Sequence, residues 1–100
     1  MNAETDKPDV WAETTYFLLF PVTVEGADKV ASLTFSEPNG EQLEAIDDIG
    51  LEEGANPKIG QIMTMISIMS GTPIETVRKM HAKDIKGAAE AFSPLLEGVI

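Results

Sequence analysis

The segment from Pro57 to Gly71, PKIGQIMTMISIMSG, constrains this chain more than any other. Asn56 followed by Pro57 reads as a helix start, because a proline at the first helical position sacrifices no amide bond. Gly71 reads as its left-handed stop. Between them Ile59, Ile62, Met63, Ile66 and Met69 recur at helical spacing and form one stripe. Met65 and Ile68 add apolar groups outside that stripe. A helix this apolar around its circumference must be covered on more than one side, by its own domain or by a partner.

The residues before it supply the layer it can pack on. Tyr16, Leu18, Phe20, Val22 and Val24 alternate with Phe17, Leu19, Pro21 and Thr23, a period of two with an apolar second face at its start. Pro21 cannot donate a ladder hydrogen bond, so the strand lies at an edge or breaks there. Glu25-Gly26-Ala27-Asp28 has turn chemistry, and Ala31, Leu33 and Phe35 alternate again, which completes an antiparallel hairpin. Asn39 and Gln42 fit a capping box for a helix carrying Leu43, Ile46 and Ile49 inward and stopping at Gly50. Thr72-Pro73-Ile74-Glu75 fits a second box for a short helix to about Met80. A last helix, Ala82 to Phe92, offers Ile85, Ala88, Ala89 and Phe92, and Pro94 limits it. The pattern predicts an α+β fold, an N-terminal antiparallel β-hairpin followed by about four α-helices in one small domain.

Length agrees with one domain, at 100 residues. Residues 1–14 show neither period and are read as a flexible acidic leader, with Trp11 left exposed, ahead of a domain over 15–100. Charge is unevenly placed: thirteen of the seventeen acids and two of the seven bases fall in residues 1–56. A formal charge of −10 repels nucleic acid phosphates. No apolar run reaches the ~18 residues that span a bilayer, and nothing at the start reads as a secretory signal.

Chemistry finds little purchase. Without cysteine there is no thiol nucleophile and no thiolate metal site. His81 is the only imidazole, and a cap or surface role suits it better than catalysis. The acids between Glu44 and Glu53 fail the spacing of a calcium loop, and the glycines match no phosphate loop. No enzyme, cofactor or metal is expected. The unexplained feature is apolar surface, and three methionines (Met63, Met65, Met69) make it the adaptable kind that suits varied apolar helices. Candidate partner-binding residues are Met65 and Ile68 on the long helix, with Leu95, Leu96, Val99 and Ile100 at the apolar C-terminus.

From Phe20 to Phe92 the order of features resembles the small tail assembly chaperones of Mu-type and P2-type contractile-tailed phages. The resemblance rests on FPVTVEGADKVASLTF, then EPNGEQLEAID, the apolar PKIGQIMTMISIMSG, the start TPIETV and the short A-K-D-I helix. It implies a protein without catalytic activity that binds the tape measure protein, keeps it soluble and assists tail tube assembly. Tail tube subunits and a frameshifted longer form are the further partners it implies, in the cytoplasm of the bacterial host and not in the mature virion. Two other readings fit the residues: an acidic DNA mimic that blocks a nucleic-acid-binding protein, and a minor structural component of the tail.

Overall fold

The computed structural model describes residues 11–26, 29–52 and 54–97. It contains β1 (Glu13–Val22), β2 (Val30–Ser36), α1 (Gly40–Asp47), α2 (Ile59–Ser70), α3 (Ile74–Val77) and α4 (Ala82–Phe92), closed by a 3-10 turn at Ser93–Leu96. The two strands form an antiparallel hairpin, and the helices follow it in sequence, an α+β domain. The expected leader lies outside the described residues up to residue 10. Its last two positions, Glu13 and Thr14, already belong to β1, paired with Ser36 and Phe35. Trp11, just ahead of the strand, is 52% exposed.

One face of the hairpin meets α4 and α2, and the core lies between them. Leu18, Val22, Leu33 and Phe35 come down from the strands; Ile66, Met69, Val77, Ala88 and Phe92 come up from the helices. Phe35 meets Phe92 edge to face with ring centroids 5.5 Å apart, the geometry that aromatic quadrupoles favour. Ile46 of α1 closes one end.

β1 does not run straight. The register holds from Glu13↔Ser36 to Phe17↔Ser32, then slips before Val22↔Val30. Residues 18–21 therefore stand opposite Ala31 alone. Pro21 lies inside this slip, in keeping with a proline that cannot donate to a ladder. The slip also breaks the simple alternation, so Leu18 and Val22 are buried while Phe20 between them is exposed.

The helix boundaries follow local side-chain chemistry. At α1, Asn39 Oδ1 accepts from the Gln42 amide at 2.8 Å and Gln42 Oε1 accepts from the Asn39 amide at 2.9 Å, the expected reciprocal box. At α2 the start lies later than Asn56-Pro57 suggests. Gln61 Oε1 accepts from the Lys58 amide at 2.7 Å, and Gln61 Nε2 donates to the Ile49 and Gly50 carbonyls at 3.3 Å. One side chain thus opens α2 and ties it to the end of α1. Gly71, at φ 72°, ends α2 in the left-handed conformation, with its amide on the Ser67 carbonyl. Thr72 does not cap α3, as the capping pattern had implied. Its hydroxyl is hydrogen-bonded to Ser70 Oγ at 2.9 Å and its carbonyl accepts from Ser67 Oγ at 2.6 Å, so Thr72 serves the end of α2. Pro73 stands at the α3 cap without a side-chain bond.

This placement of the α2 start has a direct test. Gln61→Ala should lower the free energy of unfolding by about 1–2 kcal/mol, as loss of a cap does, while Asn56→Ala should be close to neutral. Urea unfolding of the two variants distinguishes them; an equal loss at Asn56 would move the helix start back to Pro57.

Candidate functional site

The most heavily buried polar group in the domain is Asp84, in the first turn of α4, at 0% exposure. Its Oδ1 accepts from the Leu19 amide at 2.8 Å and from the Tyr16 hydroxyl at 2.9 Å, and its Oδ2 accepts from the Phe20 amide at 3.0 Å. Leu19 and Phe20 lie in the slipped segment of β1, where no β2 residue stands opposite to receive them. The carboxylate replaces the missing strand. Burial by itself pushes the Asp84 carboxyl up, but the Leu19 and Phe20 amides, the Tyr16 hydroxyl and the nearby His81 together hold it below the ordinary carboxylate value. Tyr16 shifts the other way, raised first by burial, then by its bond to Asp84 and by the charges of Asp84 and Glu90.

Neighbouring residues complete the junction. His81 caps α4, its Nδ1 accepting from the Lys83 amide at 3.1 Å, and its ring stacks on Phe20 with centroids 4.0 Å apart. The cap role expected for the only histidine is the observed one. Gly87 gives Tyr16 its path across α4: a Cβ there would overlap the Tyr16 hydroxyl and ring. Helix interiors disfavour glycine by about 1 kcal/mol relative to alanine, and here the ring occupies the space a side chain would need. With both carboxylate oxygens occupied and the side chain out of solvent, Asp84 holds structure together. Among the described residues no group of three or more His, Asp or Glu could hold a metal ion.

Apolar side chains stand on two open surfaces. Phe17 is 73% exposed and Leu19 65%, on the hairpin face turned away from the helices. Opposite Phe17 stands Ser32, and Thr15 Oγ1 is hydrogen-bonded to Thr34 Oγ1 at 3.1 Å, so β2 forms a low polar shelf beside an apolar ridge. Phe20 is 47% exposed beside His81. A second opening, a cleft of about 440 Å³, lies where α2 meets α4 and the 3-10 turn, lined by Ile62, Met65, Phe92 and Leu96 among others.

The candidates read from sequence fall unevenly on these surfaces. Met65 and Leu96 are brought together at the floor of the cleft but are buried, so neither stands free as the sequence reading had supposed. The reason for Met65 is that α4 packs along α2 and covers the side outside the main stripe, whereas Ile59, inside that stripe, is 61% exposed at the first residue of α2. Ile68 and Leu95 are half-buried against the core, and Val99 and Ile100 lie outside the described residues. The hairpin face was not among the candidates. Its sequence trace is the apolar pair Phe17 and Leu19 at alternate positions on the strand's second face.

A family model described as phage tail assembly chaperone proteins, E, or 41 or 14, matches residues 15–97, from β1 through the 3-10 turn. No curated protein and no solved structure matches the chain.

Asp84 makes the stability of this domain depend on pH in a defined sense. A carboxyl whose value is lower in the folded chain adds stability that is full above its unfolded value near 4 and is lost as pH falls through the folded value. Asp84→Asn should therefore be most destabilising at neutral pH, by about 2–4 kcal/mol, and its deficit against the wild type should shrink below about pH 4. Denaturant unfolding of both chains from pH 7 to pH 3 measures that gap; a gap independent of pH would mean that the Asp84 charge is not what holds the strand.

Proposed function

The chain belongs to the phage tail assembly chaperone family, and on that footing we propose that it binds the tape measure protein, keeps it soluble, and helps tail tube subunits assemble around it. The role of such a family is assembly and not catalysis. The single observation that supports client binding is the set of large apolar side chains held in solvent on a folded scaffold: Trp11, Phe17, Leu19 and Phe20. Single exposed apolar residues are ordinary, but Phe17, Leu19 and Phe20 fall within four residues of β1, and clustered apolar exposure marks interaction surfaces. The acids of the N-terminal half give the complex a net charge that keeps a bound apolar client in solution. No helix among the described residues is long and apolar enough to cross a membrane.

In this reading the protein acts in the cytoplasm of the bacterial host, alongside a longer frameshifted form of itself, and leaves before the particle is complete. The tail tube subunits are its second set of partners. Co-expression tests the central part. With the tape measure protein of the same genome, the soluble fraction of the client should rise severalfold in the presence of this chain, and the two should co-purify. A client equally insoluble with and without it would overturn the reading. Mass spectrometry of purified particles should find the chain absent, and its presence in stoichiometric amounts would make it a tail component instead.

A further inference from the structure

Resting on that reading of the chain as a client-binding protein, we infer that the solvent face of the β-hairpin is the docking surface, and that its occupant is an amphipathic helix with basic residues flanking its apolar stripe. The face is built by alternation. Glu37 donates its amide to the Ala12 carbonyl at 3.1 Å, and its Oε1 accepts from the Ala12 amide at 2.7 Å, so the pairing of the two chain segments continues past the end of β1. Trp11, Phe17 and Leu19 accordingly share the side opposite Leu18, with Glu13 and Thr15 between Trp11 and Phe17, and all three apolar residues are more than half exposed. From Trp11 to Leu19 the strand advances about 26 Å at ~3.3 Å per residue. An α-helix of about 17 residues has that length.

The other face of the same hairpin already shows what covers such a surface, since it is packed by α2 and α4. Sheets bury their faces against helices in this way, and a helix on the outer side would complete a third layer. Ser32 and Thr34 on β2 are small enough to leave room beside the Phe17 ridge for a helix to lie against it.

Charge selects the occupant. Glu13 lies on the same side of β1 as Phe17, the Glu37 carboxylate is held on the Ala12 amide at the same end of the hairpin, and the chain as a whole carries −10. A second copy of the chain would bring the same negative charge to the same place, and like charges across an interface oppose association. A helix rimmed by Lys or Arg meets the opposite charge.

The test uses the full chain and two labelled peptides of about 18 residues, each with the same leucine stripe, one with lysine on its flanks and one with glutamate. The lysine peptide should bind about tenfold or more tighter than the glutamate peptide, and the preference should weaken as salt is raised. Phe17→Ser with Leu19→Ser should reduce binding of the lysine peptide by about tenfold or more, as loss of central apolar anchors does, with the unfolding midpoint unchanged. Ile59→Ser, which removes an exposed apolar group elsewhere, should leave binding as it was. Equal affinity for the two peptides, no binding of either, or equal losses at Ile59 and at the Phe17/Leu19 pair would each overturn the inference. So would wild-type self-association that the Phe17/Leu19 variant abolishes, since a second copy would then be the occupant. These results are separable from the client reading itself: a wild-type chain that solubilises the tape measure protein while the hairpin variant does so equally well sinks the surface and leaves the function standing.

Discussion

Four residues of β1 face a single residue of β2, and one buried carboxylate makes that tolerable. Leu18 to Pro21 stand opposite Ala31, so the backbone amides of Leu19 and Phe20 have no strand to bond to. A buried amide without an acceptor costs about 1–3 kcal/mol. Asp84 receives both, and the Tyr16 hydroxyl as well, through hydrogen bonds of 2.8–3.0 Å. The bonds in turn pin the first turn of α4 to the middle of the hairpin. Much of what sets β1 on α4 gathers at this junction: the stacking of Phe20 on His81, the passage of Tyr16 over Gly87, and the burial of Leu18 and Val22 on either side of the slip.

The same junction explains how apolar side chains can stand in solvent without loosening the fold. Leu19 shows its side chain outward while its amide is fixed inward to Asp84. Backbone and side chain at this residue serve different purposes. A strand anchored through its main chain is held without apolar cover on its outer side, where Phe17 and Leu19 stand exposed. The core beneath them is supplied from elsewhere, by Phe35, Ile66, Val77 and Phe92.

Sequence-local features were legible and tertiary ones were not. The hairpin, its Gly26 turn, the Asn39–Gln42 box, the Gly71 stop and the Ala82–Phe92 helix each depend on residues within a few positions of one another. Pro21 announced a break in β1, but nothing local could show that the freed amides would find a carboxylate 64 and 65 residues away. Asp84 reads in sequence as an ordinary first-turn acid. Thr72 and Asn56 carried sound capping chemistry, yet Ser67 and Ser70 occupied the one and Gln61 superseded the other. The burial of Met65 was illegible for a related reason. Helical periodicity can say that Met65 lies outside a stripe, but which arc of α2 is covered is decided by where α4 crosses it. Of the candidates, Met65 and Leu96 did meet in one cleft, while the open face came from alternate strand residues whose exposure depends on the absence of a covering layer.

The central claim is that Asp84 holds the slipped strand, and amide hydrogen exchange reads it at two atoms. In the wild-type chain at neutral pH, the Leu19 and Phe20 amides should exchange as slowly as those of the β1–β2 ladder, although both side chains are exposed. If these two amides instead exchange at the rate of an open loop while the ladder stays protected, the carboxylate is not bonded to them, and the account of how this hairpin is anchored is wrong.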